Sequence, residues 1–200
     1  MKRELRSQFF VAVKIMAFLT LLLGFIYPAV VTISAQLLFP RRANGGLIIK
    51  DSQVIGSTLI GQPFDNPKYF WGRPSATTPN PYNAASSSGS NLAPSNPALI
   101  EAVKERVAMY QKSDPIQTAA IPVDLVTASG SGLDPDISPA AAFFQARRVA
   151  KYRGLSDSAV KNLILRHITP RQFGFLGEPR VNVLELNIAL DKLSNQSLKK

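Results

Sequence analysis

From Ile15 to Pro40 the chain runs 26 residues without a single charge, and no other stretch restricts its folding so strongly. About 20 apolar residues in a helix already cross the hydrocarbon core of a bilayer, so this segment is long enough to span with length to spare. A secretory signal would carry an apolar stretch of about 7 to 15 residues followed by a small-x-small cleavage site. Here the run is longer, and Ile33-Ser34-Ala35 puts a bulky residue where a small one is needed. A retained anchor is therefore expected, crossing lipid from about Phe10 to Val31 and continuing as a helix to Phe39, where Pro40 stops it. Pro28 lies inside the span. Its ring crowds the carbonyl of Gly24, four residues back, so a kink is expected there.

The positive-inside bias sets an orientation. Lys2, Arg3, Arg6 and Lys14 flank the N-terminal side, against Arg41 and Arg42 on the other. That places the N-terminus in the cytoplasm and the larger part outside it. The expected organisation is a cytoplasmic N-terminus at residues 1–9, an anchor helix with its extension at 10–39, and an α+β extracytoplasmic domain at 40–200. Net charge is +10. Lys2, Arg3, Arg6 and Lys14 against Glu4 supply three units, which leaves seven on the remainder. Arg147, Arg148, Lys151, Arg153, Lys161, Arg166 and Arg171 are scattered over helical faces without interleaved aromatics. They read as a solvated face near anionic membrane lipid or an acidic partner, and not as a nucleic-acid surface.

Within the domain, Leu47-Ile48-Ile49 and Val54-Ile55 flank Asp51-Ser52 and predict a β-hairpin. From Phe64 to Pro97, prolines and serines exclude long regular elements. Tyr69, Phe70, Trp71 and Tyr82 are aromatics for which a solvated linker has little use. With Arg73 and Asn83 they are expected to form an ordered, partner-facing loop. Asn96-Pro97 opens a helix to about Lys112, with Leu99, Val103, Val107 and Tyr110 on its apolar face. A short strand is expected from Val123 to Thr127. Ser138-Pro139 opens a second helix that ends at Gly154, and Ser156 caps a third that Thr169-Pro170 ends. Val181 to Leu193 fits strand and helix periods alike, and a short strand leading into a helix is the preferred reading.

Chemistry is sparse. There is no cysteine and one histidine, His167, so neither a zinc site nor a histidine-based triad can be assembled convincingly. His167 lies on an apolar helical face and reads as a satisfied core or boundary residue. Asp134 and Asp136 are explained by turn chemistry and are too few for a calcium loop. No catalytic or metal-ligating residue is expected. Ser129-Gly130-Ser131-Gly132 stands between an expected strand and a helix, where backbone amides can face an anion, but it lacks the lysine of a P-loop. As chemistry it is a weak signal, and a tight turn also accounts for it.

Several long strings carry a resemblance. They are TLIGQPF, YFWGRPSATTPNPYNAASSSGSNLAPSNP, IPVDLVTASGSGLDPDISPAAAFFQARRVA and GFLGEPRVNVLELN. From about Phe18 to Asp191 the chain is similar to the C subunit of the bacterial Kdp potassium-transporting ATPase. The resemblance implies an accessory role beside a potassium-conducting subunit and a P-type ATPase subunit, its partners along with membrane lipid. It also implies a catalytic chaperone that raises the ATPase subunit's affinity for ATP. ATP contact is implied through the positions of Ser129, Gly130, Ser131, Gly132 and Gln145. Asp136 departs from the histidine common in the family, and Ala93 from a common glycine. Cytoplasmic ATP conflicts with a domain placed outside, and the charge bias weighs more than the loop. An independent nucleotide- or ligand-binding module is the alternative.

Overall fold

A computed structural model describes residues 2–197. The chain separates into two units, Met1–Gly46 and Leu47–Lys200. Met1 and residues 198–200 of the expected first and last segments lie outside the described residues.

In the first unit the uncharged run is helical, as its composition demands. Helix α1 (Lys2–Leu21) passes through a π turn (Leu22–Ile26) into α2 (Tyr27–Leu38). The continuous stretch Arg3–Leu38 is 36 residues, long and apolar enough to cross a membrane. The irregularity expected at Gly24 takes the form of this π turn. Pro28 has no N–H to give to the Gly24 carbonyl, and the Tyr27 N–H reaches back five residues to Leu22. Phe39 leaves helical geometry, and Pro40–Ala43 forms the short helix α3. Gln36 and Asn44 exchange side-chain amide hydrogen bonds across this turn, and Asn44 Nδ2 also donates to the Pro40 carbonyl at 2.8 Å.

The second unit begins with the expected hairpin, β1 (Leu47–Lys50) against β2 (Gln53–Ser57). Asp51 and Ser52 both have positive φ, 49° and 64°, the geometry of a tight turn that matches strand twist. After the proline-rich segment comes α4 (Pro97–Ser113), capped by Asn96, whose side chain accepts from the Ala98 N–H. The expected strand at 123–127 is a 3-10 turn, Val123–Leu125. Its side chains do not alternate between faces, because Val123 is exposed while Leu125 and Val126 are both buried. Its backbone also closes on itself, with Val126 and Thr127 donating to the Val123 carbonyl.

Strand β3 (Asp136–Ile137) leads to α5 (Pro139–Arg153), then α6 (Asp157–His167) and β4 (Ile168–Thr169). The ambiguous end resolves as β5 (Arg180–Asn182) followed at once by α7 (Val183–Ser197). Asn182 makes that switch local, since its Oδ1 accepts the Glu185 N–H. Ser138 and Ser156 cap α5 and α6 by accepting from Ala141 and Ala159, and Gly154 ends α5 at φ 63°. The sheet order is β3-β5-β4, antiparallel throughout. Ile137 and Val181 from the sheet, Ala142, Ala146 and Val149 from α5, Val160 and Ile164 from α6, and Leu186 and Leu190 from α7 are buried together. Alanines on α5 keep that helix thin, which lets it lie close to its neighbours.

Candidate functional site

The aromatic segment, expected to face a partner, is turned inward. Phe70 is fully buried and Trp71 is 6% exposed, both within the core. A chain this rich in proline has no strand beside it to accept and donate for its backbone, yet buried peptide groups must be paired. Two side-chain amides do this. Asn187 of α7 accepts the Phe70 N–H at 2.9 Å and donates to the Phe70 carbonyl at 3.0 Å. Gln145 of α5 accepts the Trp71 N–H at 2.8 Å and donates to the Trp71 carbonyl at 3.0 Å. It also donates to the Ala141 carbonyl of its own helix.

Arg148, one turn on from Gln145, completes the clamp. Its guanidinium lies 3.9 Å from the Trp71 ring centroid. It donates to the Pro67 and Tyr69 carbonyls, and to Gln145 Oε1 at 2.6 Å. Arg148, expected on a solvated basic face, is 2% exposed. Among the described residues no carboxylate pairs with it. Burial pushes its pKa down to about 10, opposed in part by Tyr110, Asp114 and Tyr152. Arg147, Arg153, Lys161 and Arg171 are engaged in ion pairs with Asp114, Asp191, Asp157 and Glu178. Lys151, Lys161, Arg166 and Arg171 are exposed, as the solvated face requires, and Arg148 is the member that the fold buries.

The other residues of the expected loop site also serve the domain itself. The Tyr69 hydroxyl donates to Asp191, and Arg153 stacks over the Tyr69 ring. Arg73 pairs with Asp134 at 3.1 Å, and the Tyr82 hydroxyl donates to the Arg73 carbonyl. Burial pushes the Tyr82 phenol up to about 12, with Asp134 adding and Arg73 opposing. Asn83 closes a turn, donating from Nδ2 to the Thr78 carbonyl and accepting from the Ala85 N–H.

The Ser129–Gly132 loop is fastened in the same way. Ser129 is buried and gives its N–H to the Pro74 carbonyl. The Gly132 N–H goes to Ser129 Oγ and the Leu133 N–H to Ser131 Oγ. The Ser131 carbonyl accepts from Ser87 Oγ and the Ser88 N–H, and the Gly132 carbonyl from Ser75 Oγ. The amides of Ser129, Gly132 and Leu133 are thereby spent on the turn and on the 74–88 segment. Gln145 is fully occupied at Trp71, so its amide is not free to join that loop. Gly132 is required sterically: at φ 68° a Cβ would lie 2.6 Å from the Ser88 carbonyl oxygen. Gly132→Ala is expected to destabilise the domain by about 1–3 kcal/mol in denaturant titration, whereas Gly130→Ala, with open space around it, changes little.

Asp124, Asp134, Asp136, Glu178, Arg73 and Arg180 line a cavity of about 460 Å³. Each carboxylate is already bonded. Asp124 accepts from the Ser138 N–H, Asp134 from the Asp136 N–H in the expected turn, and Glu178 from Arg171. Asp136 meets Arg180 at 3.0 Å and accepts from Asn182 Nδ2. Among the described residues no metal-binding cluster forms. Burial raises the Asp136 pKa from its ordinary value, with Asp134 and Glu185 adding and Arg180 and Asn182 opposing. The folded chain therefore holds this proton more tightly than the unfolded one. The stability it contributes is full below the ordinary range and is lost as pH rises through the raised value. Stability of the native chain relative to Asp136→Asn should accordingly increase on acidification, as measured by urea unfolding at several pH values. His167 is satisfied as expected, with Nδ1 2.8 Å from the Leu163 carbonyl oxygen.

Asn187 was not legible as a functional residue; its only signal is one amide interrupting the apolar face that carries Leu186 and Leu190. The described architecture defines a class: a helix able to span a membrane, attached to a small α+β domain whose interior polar groups fasten an aromatic loop to two helices. A family model, "K+-transporting ATPase, c chain", matches residues 9–192. The chain is 64% identical over 174 residues to the potassium-transporting ATPase KdpC subunit of Methylococcus capsulatus, covering 87% of this chain and 92% of that one. It is 59% identical to the KdpC subunit of Sorangium cellulosum (90% and 95% covered). It is 56% identical to that of Herpetosiphon aurantiacus over 191 residues (96% and 99% covered). The chain belongs to the KdpC family, the c chains of K+-transporting ATPases.

Proposed function

We propose that this chain is a non-catalytic accessory subunit of an ATP-driven potassium uptake complex. The apolar helix Arg3–Leu38 anchors it in the cell membrane with the N-terminus inside. Its domain stands outside and stabilises the assembly of a potassium-conducting subunit with an ATP-hydrolysing one. The observation that carries this reading is the use of Gln145, Arg148, Asn187 and the Ser/Gly loop as internal fasteners, which gives a stiff body with its polar interior committed to holding shape. Such a body suits docking. A nucleotide contact that raises ATP affinity finds no spare valence at Gln145, and an outside domain has no access to cytoplasmic ATP.

The chain lacks cysteine, so a single engineered thiol reports topology. Ala120→Cys, at an exposed position, is expected to react with a membrane-impermeant maleimide on intact cells, and the detergent-solubilised chain to co-purify with larger membrane subunits. Labelling only after lysis would reverse the orientation and reopen the nucleotide reading. Purification without partners would remove the assembly role.

A further inference from the structure

The loop between β4 and β5 does the opposite of the 69–71 segment: it presents aromatics outward. Phe173 is 80% exposed and Phe175 70% exposed, with Leu176 beside them. The loop is nonetheless built. Gln172 and Leu176 exchange both backbone hydrogen bonds at 2.9 Å, and the Gly174 N–H donates to the Arg171 carbonyl. Arg171 and Glu178 close the base through a 2.6 Å ion pair. Phe173 adopts φ 54°, a left-handed conformation that an aromatic residue rarely takes, and the glycines at 174 and 177 make the surrounding turns. A tip whose backbone is already fastened has little backbone ordering entropy to spend when its two rings dock.

We propose that this tip is an anchoring knob that seats in an uncharged apolar cleft on another protein subunit of the complex. The proposal rests on the assembly role above and supplies it with a contact. Charge selects the kind of occupant. Between Ile168 and Asn182 the cations are Arg171 and Arg180, and both are paired with carboxylates, Glu178 and Asp136. The knob therefore offers no free positive charge to anionic lipid headgroups. Area rules out a contact that holds by itself. Two phenyl side chains bury roughly 300–500 Å², whereas a stable specific interface needs about 800 Å² from each partner. A contact of this size serves as a hot spot within an assembly already held together elsewhere, and a shared membrane span supplies that tethering.

The full chain, co-expressed with the membrane subunits of its complex and purified in detergent through its own tag, tests this. Phe173→Ser with Phe175→Ser is expected to cut the recovery of partner subunits at least about tenfold, while the unfolding midpoint of the purified chain stays unchanged. Phe173→Leu with Phe175→Leu should retain most of the recovery. Undiminished recovery with the serine pair overturns the knob. Absence of partners from the native chain overturns the assembly role itself, so the two failures are distinct. Phe175→Cys, bearing a photoreactive maleimide, should form an adduct with a different protein subunit. Adducts only with lipid or with a second copy of the chain overturn the proposal.

Discussion

Gln145→Leu should lower the stability of the domain by roughly 3–5 kcal/mol, with no nucleotide present. The two side chains are close in volume, so little of this comes from a cavity. It comes from orphaned groups: the Trp71 N–H and carbonyl lose both partners, and one Arg148 donor loses its acceptor. A buried polar group without a partner costs about 1–3 kcal/mol. Trp71 is the only tryptophan in the chain and sits at the break itself, so its fluorescence in denaturant reports the loss directly. If Gln145 served mainly as a ligand contact, this substitution would leave the unfolding midpoint in place. A shift of several kilocalories without ligand identifies the amide as a structural fastener.

Elements whose cause is local were legible in the sequence. The hairpin follows from two residues that tolerate positive φ between apolar runs. The three capped helices follow from Asn96, Ser138 and Ser156, and the end of α5 from Gly154. His167 and Asp134 are legible for the same reason, because their partners lie four and two residues away. What failed was non-local. Prolines and serines around Tyr69, Phe70 and Trp71 imply a segment without secondary structure, which is correct. They do not imply exposure, because the groups that bury this backbone come from 74 and 117 residues further along. Arg148 misleads in the same way: its spacing fits a solvated stripe, and only the folded loop brings carbonyls and an indole over it. The strand expected at 123–127 rested on apolar character alone, with no edge to pair against. Conversely, nothing in FGFLG announces exposure, and the outward Phe173 and Phe175 emerge only from the backbone geometry of their turn.

Asn187→Leu extends the fastener argument and gives it a stricter test. Alone it should cost about 2–4 kcal/mol, since it strips both polar groups of the Phe70 peptide in a fully buried place. Phe70 and Trp71 are consecutive, so the amides of α5 and α7 grip one rigid stretch of backbone from two helices. Releasing either grip lets that stretch move away from the other. The double variant with Gln145→Leu should therefore lose less than the sum of the single losses, by about 1–2 kcal/mol. Strict additivity would mean two independent bonds and no clamp. The consequence for assembly is equally specific. Asn187→Leu should impair recovery of partner subunits only as far as it unfolds the domain, and lowering the temperature should restore it. The serine pair at Phe173 and Phe175 should impair recovery at every temperature with the fold intact, because an inward aromatic holds the body together while an outward one holds it to something else.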